Sequence, residues 1–228
     1  MLSELLPKNC LICQRKLKAG QVNSILCPDC KPKITDVNLP RCLRCFQTNV
    51  RSRGTYCLAC MDESQSNVIK QIRYLWEYKT NARDLIRSLK YTPSIKLAKY
   101  AGKLLAQEVC TLYPTKPWDL IIPIPTSRIS FRKRLFNQTD YLARYLPGKK
   151  SYTTLTHNGY KVQQAKLSRT QREKNIKEVF SCKKDLSNKR ILLVDDIITT
   201  GATISEAALA LSAQNAKMVS VLCLAKRQ

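Results

Sequence analysis

Two adjacent acids followed by a turn rich in Thr and Gly stand out in the segment Ile191–Thr203 (ILLVDDIITTGAT). The four apolar residues predict a buried strand that ends at Asp195 and Asp196, where open α/β sheets bind ligands. The turn then opens a helix, whose amides and positive dipole end favour a phosphate, and Gly201 lets the backbone approach closely. Two carboxylates can accept from a ribose diol while the turn holds the 5′-phosphate. The segment therefore predicts a site for a phosphorylated ribose, and the chain has no GxxxxGK[ST] motif for a nucleoside triphosphate.

A second group of reactive residues lies in the first sixty positions, where eight of the eleven cysteines form CxxC pairs. Two CxxC knuckles complete one tetrahedral metal site, so four knuckles predict two structural Zn²⁺ sites without an open coordination position. A disulfide framework suits this spacing badly. The pairs are Cys10/Cys13, Cys27/Cys30, Cys42/Cys45 and Cys57/Cys60.

The pairing of these knuckles has two solutions. Sequential pairing joins Cys10, Cys13, Cys27 and Cys30 in one site and Cys42, Cys45, Cys57 and Cys60 in the other, which makes a double zinc ribbon. Interleaved pairing makes a cross-brace. The polar segment between Cys13 and Cys27 suits a hairpin, and the sequential form is predicted. Of the other cysteines, Cys110 and Cys223 are predicted in the core.

The charge balance points to a polyanionic partner, either nucleic acid or a phosphorylated ligand. The chain of 228 residues has 40 Lys+Arg against 16 Asp+Glu, a formal net charge of +24. Residues 128–190 alone hold 17 basic and four acidic side chains. The longest apolar runs have the length of a strand, which predicts no membrane insertion. Since the N-terminus does not resemble a secretory signal, a cytoplasmic protein is expected.

Strand and helix patterns alternate after the cysteine-rich region, which predicts an α/β fold with a mainly parallel sheet and helices on both faces. Residues 1–63 are predicted to form the zinc module and residues 64–228 the α/β domain. The predicted strands are Val68–Tyr78, Asp119–Ile124, Ser151–Thr156, Arg190–Val194 and Lys217–Leu224. The predicted helices start at Thr80, Pro93, Asn137 and Thr203, and a basic loop is expected after Ile124.

The segment VDDIITTGAT resembles the 5-phosphoribosyl-1-pyrophosphate (PRPP) loop of type I phosphoribosyltransferases. Together with the CxxC knuckles, RKRLFNQ at Arg132–Gln138 and QQAKLSRTQREKN at Gln163–Asn175, it resembles the ComF/GntX family, which includes the ComFC-type competence proteins. The resemblance covers essentially the whole chain. One departure concerns loop shape: the family usually has Gly where this chain has Leu135.

The resemblance implies a set of site residues. Asp195 and Asp196 would hold the ribose hydroxyls, and the pyrophosphate loop would correspond to Pro123–Arg128. A Mg²⁺ ion would arrive with the pyrophosphate. Gln163–Asn175, with Arg169, Arg172 and Lys174, would form a mobile cover. The implied PRPP-binding residues are Asp195, Asp196, Thr199, Thr200, Gly201, Ala202 and Thr203, and the candidates for the pyrophosphate charge are Arg128, Arg132 and Arg134.

The resemblance also implies a function in DNA uptake during natural transformation, with binding of PRPP and single-stranded DNA. The alternative is an active phosphoribosyltransferase that acts on an unknown base or amine, and the sequence leaves catalysis open. Aromatic residues among basic ones at Tyr74–Tyr100 could stack on single-stranded bases. A helicase-like ATPase is the implied partner, which would place the protein in the cytoplasm or peripherally at the inner face of the membrane.

Overall fold

The computed structural model describes residues 9–18, 25–34, 38–48, 50, 54–61, 68–91, 94–115, 118–159 and 179–227. Its centre is a four-stranded sheet in the order β1-β6-β5-β2, in which every neighbouring pair is parallel. These strands are β1 (Ile69–Glu77), β2 (Leu120–Pro123), β5 (Arg190–Ile198) and β6 (Met218–Lys226). Two short strands, β3 (Leu155–His157) and β4 (Phe180–Cys182), pair in an antiparallel ribbon.

Helices connect and cover the sheet, as the alternating pattern predicted. They are α2 (Thr80–Tyr91), α3 (Ile95–Leu112), α4 (Arg128–Arg134), α5 (Gln138–Tyr145) and α6 (Ala202–Ser212), and α1 (Leu58–Met61) is a single turn in the cysteine-rich region. Helices α3 and α5 pack against each other and the sheet, whereas α6 packs on β5, β6 and the β3–β4 ribbon. The predicted α/β fold with a mainly parallel sheet is confirmed.

The close contact of α3 with α5 depends on Gly102. A β-carbon at Gly102 would lie 2.6 Å from the carbonyl oxygen of Tyr141 and 2.8 Å from Cδ2 of Tyr145. Real β-carbons do not approach that closely, so the absent side chain lets α5 lie against α3. This packing sets the position of α5, whose first residue, Gln138, contributes to the site described below.

Three predictions of local structure were wrong. The basic loop after β2 is the helix α4, because the Ser127 hydroxyl caps it by accepting from the Ser130 amide at 3.2 Å. The strand predicted at Ser151–Thr156 begins only at Leu155. Its partner β4 is three residues long, and Leu155 pairs with the last of them, Cys182. Cys110 is exposed rather than in the core, because it lies on the outer face of α3, whereas Cys223 is buried.

The core accounts for most of the aromatic residues that sequence alone offered for base stacking. Tyr74 and Trp76 are fully buried on β1, so they cannot contact a nucleic acid. Tyr91, at the end of α2, is exposed. In the part of the chain that the structure describes, no helix combines the length and the apolar character needed to cross a membrane.

Candidate functional site

The acid pair lies at the carboxyl end of β5, beyond the end of its neighbour β2. Strand β5 pairs with β2 only as far as Val194 and Pro123, but with β6 as far as Ile198. The amide of Ile124, which follows Pro123, still donates to the Val194 carbonyl at 2.9 Å, and β2 itself ends at Pro123. The strand that carries the acids is therefore longer than the predicted Arg190–Val194, and Asp195 and Asp196 belong to it. The shorter β2 leaves a notch beside them.

Asp196 is buried, and both of its carboxylate oxygens have partners. Nε2 of Gln138, at the start of α5, donates to Oδ2 at 2.8 Å. Nζ of Lys90, near the end of α2, lies 3.1 Å from Oδ1. A buried carboxylate needs such partners, because an isolated charge in the interior costs several kcal/mol. The two contacts fix the side-chain position of Asp196 from two different helices.

Arg134 closes these contacts into a ring. Its Nε donates to the carbonyl oxygen of Lys90 at 3.1 Å, and its Nη1 donates to Oε1 of Gln138 at 3.1 Å. Arg134 therefore holds the two residues that hold Asp196. A guanidinium is suited to this task because its planar fork presents several donors in fixed directions. This geometry favours a positioning role for Arg134 over direct contact with a pyrophosphate.

The turn after β2 is held by the residues that follow α4. The carbonyl oxygen of Ile124 accepts from Nδ2 of Asn137 at 3.2 Å and from Oγ1 of Thr139 at 2.7 Å. Asn137 also donates to Oδ1 of Asp140 at 2.8 Å. The stretch Asn137–Thr139 thus ties the turn after β2 and the acid pair to a single helix start.

Asp195 is buried beside a second carboxylate. Its Oδ1 accepts from the amide of Asp196 at 2.8 Å. Burial, and then the negative charge of Asp196, raises the pKa of the Asp195 carboxyl well above its ordinary value, and Lys90 offsets a part of this effect. A cation or a set of hydroxyl donors next to Asp195 would stabilise its ionised form. A ribose diol or a metal-bound ligand could supply such groups.

The turn between β5 and α6 presents its backbone to solvent. Gly201 is the N-cap of α6 and has φ +84°, a left-handed conformation that glycine adopts at little cost. Space does not require glycine here, since a β-carbon at this position would meet nothing within 4 Å. The left-handed backbone of the turn is therefore the reason for the glycine. The hydroxyl of Thr200 accepts from the amide of Ala202, the first residue of α6, at 3.4 Å. The first amides of a helix have no acceptor within the helix, so they can donate to an anion.

A cavity of about 480 Å³ joins these features. Asp195, Asp196, Thr199, Ala202 and Thr203 line it, whereas Thr200 and Gly201 lie in the turn outside the lining. One wall comes from the turn after β2 and the start of α5, and it includes Lys90. The other wall comes from the β3–β4 ribbon and α6, through His157, Val179, Phe180 and Glu206.

Several of these lining residues were not singled out as site residues from the sequence. Lys90 and Gln138 lie more than forty positions apart, and only the packing of α2 and α5 brings both to Asp196. His157, at the end of β3, packs edge-on against Phe180, with ring centroids 5.2 Å apart. Burial lowers the pKa of His157, which favours the neutral ring.

The remaining basic residues of the predicted phosphate site lie apart from the cavity. Arg128 and Arg132 are exposed on α4, whereas Ser127 and Ser130 of the same turn and helix line the cavity. The predicted cover at Gln163–Asn175 lies outside the described residues. The structure therefore brings together the acid pair and the turn, and leaves the roles of the arginines as predictions.

The eight cysteines form two separate clusters with sequential pairing. One cluster consists of Cys10, Cys13, Cys27 and Cys30, and the other of Cys42, Cys45, Cys57 and Cys60. In each cluster the ligand atoms all lie within 4.8 Å of one another. The predicted double zinc ribbon is confirmed, and the cross-brace is excluded.

The distances within the clusters fit Zn²⁺. The sulfurs of Cys13 and Cys27 are 3.7 Å apart, and so are those of Cys45 and Cys57. A tetrahedral site with zinc–sulfur bonds of about 2.3 Å has sulfur–sulfur edges of about 3.8 Å. The two sites also share a backbone pattern, because the Cys10 amide donates to the Arg15 carbonyl and the Cys42 amide to the Gln47 carbonyl, each at 2.8 Å. These are structural zinc sites of one repeated design.

The zinc ribbons pack on the α/β domain at two places. Phe46, in the second ribbon, meets the buried Tyr74 edge-on at 5.5 Å, and its carbonyl accepts from the Tyr74 hydroxyl at 3.0 Å. Arg73 lies over the Phe46 ring at 4.8 Å. In the first ribbon, the carbonyl oxygens of Asp29 and Lys31 accept from Asn81, at the start of α2. The predicted boundary at residues 63 and 64 lies outside the described residues.

Comparison with known proteins agrees with this arrangement. Residues 91–228 match the model of the phosphoribosyl transferase domain, and residues 1–61 match that of the double zinc ribbon domain. Since the first match alone spans more than half of the chain, the chain belongs to the phosphoribosyltransferase domain family.

Relatives of similar length are named for DNA utilization or for competence. The chain is 28% identical to the DNA utilization protein YhgH of Escherichia coli O6:H1, over 95% of this chain and 89% of that protein. It is 26% identical to the competence protein ComFC of Streptococcus pneumoniae, over 95% and 99% of the two chains. It is 25% identical to competence protein F of Haemophilus influenzae, over 86% and 87%. The resemblance to ComFC-type proteins is thus confirmed.

Proposed function

We propose that this protein acts in DNA uptake during natural transformation, that it binds PRPP at the Asp195–Asp196 cavity, and that it binds single-stranded DNA. The observation that carries the PRPP proposal is the cavity itself, which combines a buried acid pair with the start of α6. Hydroxyl groups of a ribose suit Asp195 and Asp196, and a phosphate suits the amides and hydroxyls of Thr199–Thr203. The relatives named for competence and DNA utilization support the DNA part of the proposal.

The fit of Mg²⁺ rests on the donor set of the cavity. Carboxylate oxygens are hard ligands that suit Mg²⁺, and the ion usually keeps phosphate and water ligands as well. Asp195 and Asp196 would face such an ion from the protein side. When bound, the ion would neutralise the pyrophosphate charge, while Lys90 and Gln138 keep Asp196 in place.

Isothermal titration calorimetry with PRPP and Mg²⁺ tests the site. The double variant Asp195→Asn/Asp196→Asn should lose measurable binding. Asp119→Asn is the matched control, because Asp119 pairs with Arg190 at the amino end of β5, with Oδ1 and Nη2 2.8 Å apart, away from the cavity. Unchanged affinity in the double variant would refute the assignment of the site.

Fluorescence anisotropy with a labelled oligothymidylate tests the DNA part. The basic excess of the chain predicts an affinity that falls steeply between about 50 and 200 mM salt. An absence of binding at the lower salt concentration would remove single-stranded DNA from the proposal. The helicase-like ATPase partner follows from the resemblance to competence proteins and is tested by co-purification with such an ATPase.

A second function, phosphoribosyl transfer to a base or amine, is favoured by the second wall of the cavity. His157, Phe180 and Glu206 place rings and a carboxylate beside the acid pair, where an acceptor with N–H groups could bind. A pyrophosphate-release assay with a panel of bases and amines separates the two functions. Release of pyrophosphate that depends on an acceptor would show that the protein is an enzyme.

A further inference from the structure

Helix α4 has no buried residue. Within Arg128–Arg134, four of the seven residues are basic and none is acidic. The helix nevertheless carries two large apolar residues, Ile129 at 66% exposure and Phe131 at 47%. Soluble helices normally bury such residues against the protein, so an apolar group left in solvent among positive charges marks a binding surface.

The exposed surface continues onto the end of α2. The contact from Nε of Arg134 to the carbonyl oxygen of Lys90 brings the last turn of α4 beside Lys90, and the next residue, Tyr91, is 76% exposed. Leu135, which follows α4, is 80% exposed. Two exposed aromatic side chains, Tyr91 at the end of α2 and Phe131 in the middle of α4, therefore lie on neighbouring helices.

The same surface borders the candidate PRPP cavity. Ser127 and Ser130 line the cavity, as does Lys90, while Arg128, Arg132 and Lys133 are exposed on the outside of α4. A polyanion that follows this surface would pass the mouth of the cavity. By contrast, the described residues of the first zinc ribbon expose Ile34 beside Lys31 and Lys33, but they include no aromatic residue.

We propose that α4 and the end of α2 form the binding surface for single-stranded nucleic acid, with Phe131 and Tyr91 as stacking residues and Arg128, Arg132 and Lys133 as phosphate contacts. This inference rests on the DNA part of the proposed function and names its location. Single strands suit the surface because every base has a flat apolar face that stacks on an aromatic ring, while the backbone supplies evenly spaced negative charges. A folded acidic protein would supply the charges without the stacking.

Anisotropy titrations with a labelled 20-nucleotide oligothymidylate test this location. Phe131→Ala and Tyr91→Ala should each weaken binding at least about fivefold, which corresponds to the stacking of one base. Arg132→Ala/Lys133→Ala should weaken binding at low salt and reduce the slope of log affinity against log salt by about 1.4, which corresponds to two phosphate contacts. Since α4 buries no residue, these variants should fold, and a thermal melt checks that they do.

Matched controls place the same changes on the zinc ribbons. Tyr56→Ala removes an aromatic ring of 48% exposure from the second ribbon, and Lys31→Ala/Lys33→Ala removes two exposed charges from the first. These variants should bind like the wild type. If they lose affinity while the α4 variants keep it, the surface lies on the ribbons and this inference is wrong. If the wild type itself does not bind, the DNA part of the proposed function fails instead.

An anionic membrane is the other surface that basic and apolar residues can contact. Co-sedimentation with vesicles of phosphatidylglycerol and phosphatidylcholine separates the two. Loss of vesicle binding by Phe131→Ala, with unchanged affinity for the oligothymidylate, would assign α4 to lipid and overturn the proposal. Loss of DNA binding, with no sedimentation of the wild type, supports it.

Discussion

Nζ of Lys90 lies 3.1 Å from Oδ1 of Asp196, so the end of α2 supplies the cation for a carboxylate at the end of β5. The Asp196 side chain is almost fully buried, and three quarters of the Lys90 side chain is buried. Through Arg134, the same lysine is also joined by its carbonyl oxygen to Gln138, the second partner of Asp196. The site is thus held by three helices, α2, α4 and α5, before any ligand binds.

Lys90→Met should lower the free energy of unfolding by about 1–3 kcal/mol, because Asp196 keeps Gln138 but loses its cation. Urea unfolding followed by tryptophan fluorescence measures the change. Lys99→Met, at an exposed lysine of α3, is the control and should have little effect. Equal stability of the two variants would show that the pair contributes nothing.

The pH dependence of stability should report the raised pKa of Asp195. Burial and the charge of Asp196 raise this pKa in the folded protein above its ordinary 3.8. Above pH 3.8 the folded state therefore holds more protons than the unfolded state, and this carboxyl makes the free energy of unfolding fall as the pH rises through the raised pKa. The Asp195→Asn variant has no carboxyl at this position, so its free energy of unfolding does not fall with pH for this reason. Its stability relative to the wild type should increase with pH, by at most about 1.4 kcal/mol per pH unit.

Urea unfolding in steps from pH 5 to pH 8 measures this difference. Asp119→Asn is the control, because hydrogen bonds from Arg190 lower the pKa of Asp119 to about 2. Its stability relative to the wild type should not change over this interval, since Asp119 is ionised in both states. A flat difference for Asp195→Asn as well would contradict the raised pKa.

Leu135→Gly should stabilise the protein by about 0.5–1 kcal/mol. Leu135 has φ +63°, a left-handed conformation that costs a residue with a β-carbon about 1–2 kcal/mol. The greater freedom of glycine in the unfolded chain offsets a part of that gain. Thermal unfolding measures the change, and Leu135→Ala, which keeps the β-carbon, should give no such increase.

Metal analysis should find two Zn²⁺ ions per chain, since each four-cysteine cluster is complete by itself. Cys45→Ser should remove one ion and lower the thermal stability, because Phe46, the next residue, packs on Tyr74 of β1. Cys110→Ser, at an exposed cysteine outside the clusters, should retain both ions. A single ion in the wild type would contradict two independent sites.

The parts of the protein that depend on local sequence could be predicted in advance. The CxxC spacing indicated both zinc sites, because each knuckle is a local turn whose two sulfurs meet one ion. The strand, acid pair and turn of Ile191–Thr203 were contiguous, so the elements at the phosphate end of the cavity were expected. The left-handed backbone of Leu135 also agrees with the glycine expected at that position, since the turn after α4 requires a positive φ whichever residue occupies it.

The contacts that hold the acid pair were decided only by the tertiary structure. Lys90, Gln138 and Asp196 come from three elements far apart in sequence, and nothing local indicates that they meet. The place of the exposed aromatic residues was also decided by packing, which buried Tyr74 and Trp76 and left Tyr91 and Phe131 in solvent. Pattern and spacing report which residues can bind an ion or a phosphate. The side chains that hold these binding residues in place are set by the packing of helices across the sheet. This packing is a long-range property that local sequence does not encode.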